Sequence, residues 1–233
     1  MLIVLNHKMN LNINEIISYE EALREYEDVV VMPQIPYMGL FSKGKYILGS
    51  QFISEDAVTG GISAESLVSL NVKYVLAGHS ERRIIKGETD EEITQKINEV
   101  VRNGMRAILC IGESLSSKEA GLTKELLEEQ IHEVFSKLAV PYHGVIIAYE
   151  PVWSIGTGKI PTMEELDETI SFIKAYLKNK YGSENKVLYG GSVNSKNIEE
   201  LKKLENLDGL LIGGASLKIE EVSKIYNSVN NLK

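Results

Sequence analysis

Short runs of apolar and β-branched residues recur along the chain, with longer amphipathic stretches between them. The runs lie at 2–5, 29–32, 46–48, 74–77, 107–111, 145–149, 187–189 and 210–212. They are continuous rather than alternating, the pattern of parallel strands buried on both faces. The stretches between them carry helix signals. Thr89-x-x-Glu92 is a capping box, followed by Ile93, Ile97, Val100 and Val101 at helical spacing and by Gly104 as a stop. Thr162-x-x-Glu165 is a second, with Leu166, Ile170, Ile173 and Leu177 on one face. Leu126, Ile131, Val134, Phe135 and Leu138 mark a further helix before Pro141. Only the second crossover departs from this rhythm. Between Met32 and Tyr46, Pro33 and Pro36 leave room for one or two helical turns at most.

Strand–helix alternation with parallel strands leaves an open doubly wound sheet or a closed barrel. Eight βα units favour the barrel, since open sheets of this kind commonly use five or six strands. The expected fold is therefore α/β, a single (β/α)8 TIM barrel over residues 1–233 with a shortened second βα crossover. No Ser/Gly linker, charge block or low-complexity tract divides the chain. A composition of 43% hydrophobic and 25% charged residues fits an ordinary soluble globular protein. The net charge of -8 argues against nonspecific binding to nucleic acid or an anionic membrane, so an anionic substrate needs a local positive site. The lone cysteine, Cys110, excludes an internal disulfide and suits a reducing cytoplasm. The first apolar run is too short for a signal peptide, and no segment approaches the length of a membrane helix.

Chemistry in a βα barrel sits just beyond the carboxyl ends of the strands. Those positions hold Asn6-His7-Lys8, Gly78-His79-Ser80-Glu81, Cys110-Ile111-Gly112-Glu113, Glu150-Pro151, Gly190-Gly191-Ser192 and Gly213-Gly214-Ala215. The opposite rim carries ordinary turn residues such as Tyr181-Gly182-Ser183 and Leu207-Asp208-Gly209. A carboxylate, a histidine and a lysine on one rim can supply a base, a polarising donor and a cation. The two glycine turns each precede an expected helix, and backbone N–H groups there would form a phosphate site. Trp153-Ser154-Ile155-Gly156-Thr157-Gly158 has the glycines of a hinged lid. The four histidines are scattered, with no metal-ligand spacing. These residue types point to a metal-free proton transfer on a small phosphate ester, and no further.

Five of these segments, in order, resemble the triosephosphate isomerase family along nearly the whole chain. They are the stretch from Tyr74 to Arg83 containing Gly78-His79-Ser80-Glu81-Arg82-Arg83, then Cys110-Ile111-Gly112-Glu113, then Ala148-Tyr149-Glu150-Pro151-Val152-Trp153-Ser154-Ile155-Gly156-Thr157-Gly158, then Tyr189-Gly190-Gly191-Ser192-Val193, and finally the stretch from Leu211 to Leu217. The resemblance implies interconversion of dihydroxyacetone phosphate and glyceraldehyde 3-phosphate without a cofactor. It implies Glu150 as the base and His79 as the electrophile, assisted by Asn6 and Lys8. Phosphate would be held by backbone N–H groups of Gly156, Ser192, Gly213 and Gly214, under a lid at 151–161. Glu81 would stand beside Lys8. The resemblance also implies a homodimer whose loop around Thr59 reaches the Lys8 and His79 region of its mate. Several positions depart from the family: His7 for an aromatic residue, Thr59-Gly60-Gly61 for Thr-Gly-Glu, and Gln51-Phe52 for Gln-Asn. Pro161 closes the lid where relatives offer a free N–H to a tyrosine matching Tyr189, so the closed lid is expected to be held differently here.

Each rim residue has a plainer reading when taken alone. Glu150 could be a surface carboxylate, His79 a satisfied partly buried histidine, and Asn6 and Lys8 turn residues; their combination and context favour chemistry. Cys110 reads as a small core residue, Glu113 and Arg82 as ion-pair partners bracing the rim, and 125–133 as a solvated acidic helix face. Other phosphosugar barrels commonly need a metal or paired strand-end aspartates, which are missing from these rim positions. A barrel that only binds phosphate esters is the alternative from another class, and Asn6, Lys8, His79 and Glu150 together argue against it.

Overall fold

The computed structural model describes residues 1–54 and 57–232. Eight parallel strands close on themselves in sequence order: β1 (Leu2–Asn6), β2 (Val29–Met32), β3 (Ile47–Ser50), β4 (Tyr74–Ala77), β5 (Arg106–Ile111), β6 (Val145–Tyr149), β7 (Val187–Tyr189) and β8 (Gly209–Ile212). The seam pairs β1 with β8, Ile3 opposite Leu210 and Leu5 opposite Ile212. Around the barrel run the helices α1 (Ile13–Leu23), α2 (Ala64–Ser69), α3 (Ser80–Lys86), α4 (Asp90–Arg102), α5 (Leu115–Glu119), α6 (Thr123–Phe135), α7 (Met163–Tyr181), α8 (Ile198–Leu201) and α9 (Ile219–Val229). All eight expected strands are present, the third beginning one residue later, at Ile47. The expected helix before Pro141 stops at Phe135, leaving Leu138 beyond it.

The near-continuous apolar runs divide by parity into two cores. Val4, Val30, Met32, Leu76, Ile108, Cys110, Ile146, Ala148, Leu188 and Leu211 pack together inside the barrel. Their neighbours, among them Ile3, Leu5, Leu109 and Ile147, join the layer that the helices cover. Alternation along a strand then decides which rim residues face inward. Asn6 follows Val4 in phase, and Glu150 follows Ile146 and Ala148, so both reach the carboxyl rim pointing toward the barrel axis.

Capping chemistry sets where the helices begin. Both threonine boxes form: the Thr89 and Thr162 side chains accept the N–H of Glu92 and Glu165, whose carboxylates accept the threonine N–H in return. A third box, Asn12 with Glu15, starts α1. In the second crossover a 3-10 turn, Ile35–Leu40, stands in place of a full helix. Met38, Phe41 and Tyr46 cover the strands there, and the Tyr46 hydroxyl donates to buried Glu20 Oε1 at 2.5 Å. Arg24 donates to the same carboxylate through Nε and Nη2. This clasp satisfies a carboxylate that burial would otherwise penalise.

Candidate active site

The two inward residues of β1 and β6 meet a third from the start of α3. Glu150 is 2% exposed, its Oε2 accepts the N–H of Ser80 at 3.1 Å, and its Oε1 lies 3.2 Å from His79 Nε2. His79 caps α3, its Nδ1 accepting the N–H of Glu81 at 3.3 Å. An accepting Nδ1 leaves the ring proton on Nε2, aimed at the cavity. Two glycines make room for Glu150, one beside its backbone and one beside its side chain. A Cβ at Gly112 would fall 2.6 Å from the Glu150 carbonyl oxygen, and one at Gly190 would fall 2.7 Å from Glu150 Cγ.

Lys8 completes the charge pattern from the turn after β1. Its φ of 51° lies in the left-handed region, which a lysine enters at a cost. Three bonds hold that turn: Lys8 N–H to Asn6 Oδ1 at 3.0 Å, and Gln51 Nε2 to the carbonyls of Lys8 at 2.8 Å and Met32 at 2.9 Å. Lys8 Nζ donates to Glu81 Oε1 at 2.6 Å. Burial alone would raise the Glu81 carboxyl, yet the Lys8 ammonium outweighs it and holds Glu81 below its ordinary value.

Asn6, Lys8, His79 and Glu150 line a cavity of about 410 Å³ together with Gly156, Ser192, Gly213 and Gly214. The structure thus brings Asn6, Lys8, His79, Glu150 and all four proposed phosphate donors to one space. Each glycine turn is followed by a helix, as expected, but at a distance: α9 (Ile219–Val229) follows the second turn and the short α8 follows the first. A single 3-10 turn, Gly214–Leu217, follows Gly213, and α8 begins only at Ile198 and has four residues. An anion placed there would meet the local N–H groups of the turns first, since neither turn runs directly into a long α-helix.

The supporting residues act from behind. Cys110 is fully buried, and burial first, then the neighbouring Glu150 carboxylate, push its thiol well up, leaving it inert. The expected pairing of Glu113 with a cation is corrected. Among the described residues Glu113 instead accepts Trp153 Nε1 at 2.7 Å and the Tyr149 hydroxyl at 3.2 Å, bracing the segment that follows β6. Arg82 pairs with Glu88 at 3.0 Å. Sequence reasoning assigned no role to Ser80, Gln51 or Ser154. Gln51 had the visible signal of standing at the end of β3, whereas the other two act through a backbone N–H or a distant contact. Among the described residues, no group of three or more His, Cys, Asp or Glu is placed to hold a metal ion, and no helix is long and apolar enough to cross a membrane.

The triosephosphate isomerase family profile matches residues 1–229. The chain belongs to the triosephosphate isomerase family. Its activity is the interconversion of dihydroxyacetone phosphate and D-glyceraldehyde 3-phosphate, an intramolecular aldose–ketose isomerisation. The triosephosphate isomerase of Acetivibrio thermocellus is 38% identical over 95% of this chain and 96% of its own length. That of Mesomycoplasma hyopneumoniae is 40% identical over 96% and 97%, and that of Dictyostelium discoideum 35% over 96% and 93%.

In this isomerase His7 lies between Asn6, the last residue of β1, and Lys8, both of which line the cavity. Its ring is 0% exposed, neither nitrogen has a partner among the described residues, and it meets the Tyr19 ring edge-on at 4.6 Å. The Tyr19 hydroxyl donates to the carbonyl of Ser216, whose Oγ donates to the carbonyl of Asn6. Burial pushes the His7 pKa down to about 4. The folded state therefore keeps His7 neutral while the unfolded chain takes up a proton below its ordinary value of about 6.5. Stability is full above pH 6.5 and declines as pH falls toward 4, by up to about 3 kcal/mol over the interval. His7→Phe is expected to flatten that part of the profile. Urea unfolding of both proteins at pH 7.5 and 4.5 measures it, and equal acid losses would refute the assignment.

Proposed function

We propose that Glu150 takes a proton from the carbon beside the substrate carbonyl and returns it to the neighbouring carbon. His79 Nε2–H, with Asn6 and Lys8, stabilises the negative charge that develops on the enediolate oxygens. Backbone N–H groups of Gly156, Ser192, Gly213 and Gly214 hold the phosphate under the lid at 151–161. The observation that carries this reading is the approach of Glu150 Oε1 to within 3.2 Å of His79 Nε2 on a cavity that Lys8 and both glycine turns also line. The substrate carbonyl oxygen would accept a hydrogen bond from His79 Nε2–H, whose nitrogen lies 3.2 Å from Glu150 Oε1. That frees the carboxylate for the adjacent carbon, so one group polarises while the other abstracts. Protons move within one molecule and no electrons are gained or lost, so the chemistry calls for no cofactor. A coupled assay from glyceraldehyde 3-phosphate on wild type and Glu150→Gln tests the assignment. If wild type turns over no faster than the variant, Glu150 is not the base.

The same reading treats residues 1–233 as one catalytic domain, working in the cytoplasm as a homodimer. Support for the dimer comes from an exposed loop and an apolar socket. Hydrogen bonds between Ser54 and Ile62 pin the base of the loop, and Val58, beside Thr59 at its tip, is 63% exposed. Met9, Ile84 and Ile85 are more than half exposed, and a cavity of about 520 Å³ lined by Lys8, Met9, Gln51 and Ile85 can receive such a loop. Solvent-facing apolar groups of this density mark an interface. Ile85→Lys is expected to give a monomer in light scattering coupled to chromatography, with activity that falls on dilution. A variant eluting with the same mass as wild type would exclude this face.

A further inference from the structure

Within the lid, Ser154 has a side chain that the reaction described above leaves without a task. It is fully buried although residues 156–159 after it are exposed. A hydroxyl has one proton to give and two lone pairs to receive with. Ser154 Oγ donates its proton to the carbonyl of Lys159 at 2.6 Å. The Tyr189 hydroxyl, 3.2 Å away, must therefore donate to it, and the backbone N–H of Ser192 donates at 3.3 Å. Each capacity of the hydroxyl is used once. Ser192 Oγ returns a bond to the Ser154 carbonyl at 2.6 Å. One side chain thus ties the beginning of the lid to its end, to β7 and to the first phosphate turn.

The surroundings are shaped to this hub. A Cβ at Gly191 would fall 2.2 Å from the Tyr189 hydroxyl and 2.7 Å from Ser154 Oγ, so glycine there serves the hub as well as the turn. Pro161, two residues beyond Lys159, is buried and has no N–H to offer Tyr189. The buried tyrosine hydroxyl needs a partner, and Ser154 is that partner.

One of the three bonds stands in the path of the substrate. The Ser192 N–H is among the donors assigned to the phosphate, and at 3.3 Å from a neutral hydroxyl it is weakly held. A charged phosphate oxygen makes the stronger bond. We propose that Ser154 is a positioning residue that couples lid to phosphate: it orders both lid ends against Tyr189 and occupies the Ser192 N–H until the phosphate takes it. The proposal rests on the phosphate site described above.

Trp153, the single tryptophan of the chain, adjoins Ser154 and reports on the lid by fluorescence. The experiment measures the Kd of 2-phosphoglycolate by calorimetry, and Trp153 relaxation after a temperature jump, for wild type, Ser154→Ala, Tyr189→Phe and the double variant. Each single variant is expected to weaken binding by about five- to tenfold and to speed the relaxation, because a buried partner is lost and the lid must be ordered at the moment of binding. The double variant is expected to be no worse than the weaker single, since both changes delete the same hub. Tyr189→Phe keeps the ring and removes only the hydroxyl, so it tests the hub even if Ser154→Ala folds poorly. Kd and relaxation within twofold of wild type, or additive losses in the double variant, would overturn the proposal while leaving the phosphate site standing. Failure of wild type to bind 2-phosphoglycolate would overturn both.

Discussion

Glu150→Gln is expected to lower kcat by about a thousand- to ten-thousand-fold, at the upper end for a single positioned base, while KM stays within a few-fold of wild type. The amide keeps the size of the carboxylate, and its oxygen can still accept the Ser80 N–H that Glu150 Oε2 accepts at 3.1 Å. Packing against Gly112 and Gly190, where a Cβ would fall 2.6 Å from the Glu150 carbonyl oxygen and 2.7 Å from its Cγ, is also preserved. What disappears is basicity, so the loss belongs to the chemical step and not to binding or folding. Parallel thermal unfolding checks the second half of that statement. A loss smaller than about tenfold would mean that another group, or water, carries the proton.

Much of this site could be read before any coordinates. Strand counting alone places Asn6, His79 and Glu150 at or just beyond the carboxyl ends of β1, β4 and β6, on one rim. Which phase of β1 and β6 faces inward shows only in the packing of Val4 and Ala148. The threonine boxes announced α4 and α7 through a local pairing three residues apart. The Asn12–Glu15 box carries the same three-residue spacing at the start of α1. What was illegible is held by contacts between distant positions. The N–H of Ser80 reaches Glu150 across 70 residues, and Trp153 reaches Glu113 across 40. No spacing rule connects such pairs, so Glu113 was given a cation as partner when an indole and a phenol hold it. The clasp of Tyr46, Glu20 and Arg24 was hidden for the same reason, although the shortness of the crossover it covers was plain from Pro33 and Pro36.

Lys8→Met is expected to lower kcat/KM by about one hundred- to one thousand-fold, the scale of a single donor aimed at developing negative charge. The protein carries a net charge of -8, and Lys8 is the cation among the described residues lining the cavity, so the long-range field opposes an anionic substrate and this local charge offsets it. Methionine keeps the length and apolar stem of lysine, which confines the change to the ammonium. The turn should survive, because Asn6 and Gln51 hold it through the Lys8 backbone and not through its side chain. The strained φ of 51° is thus maintained by its neighbours. Removal of the ammonium also leaves Glu81 without its 2.6 Å partner, so an uncompensated negative charge stands next to position 8. Adding Glu81→Gln to Lys8→Met is therefore expected to recover part of the loss, most clearly at low salt where repulsion is least screened. Steady-state kinetics of the single and double variants at two ionic strengths measure both effects. A single variant within tenfold of wild type would remove Lys8 from the charge-stabilising set, and a double variant no better than the single would confine the defect to the missing ammonium.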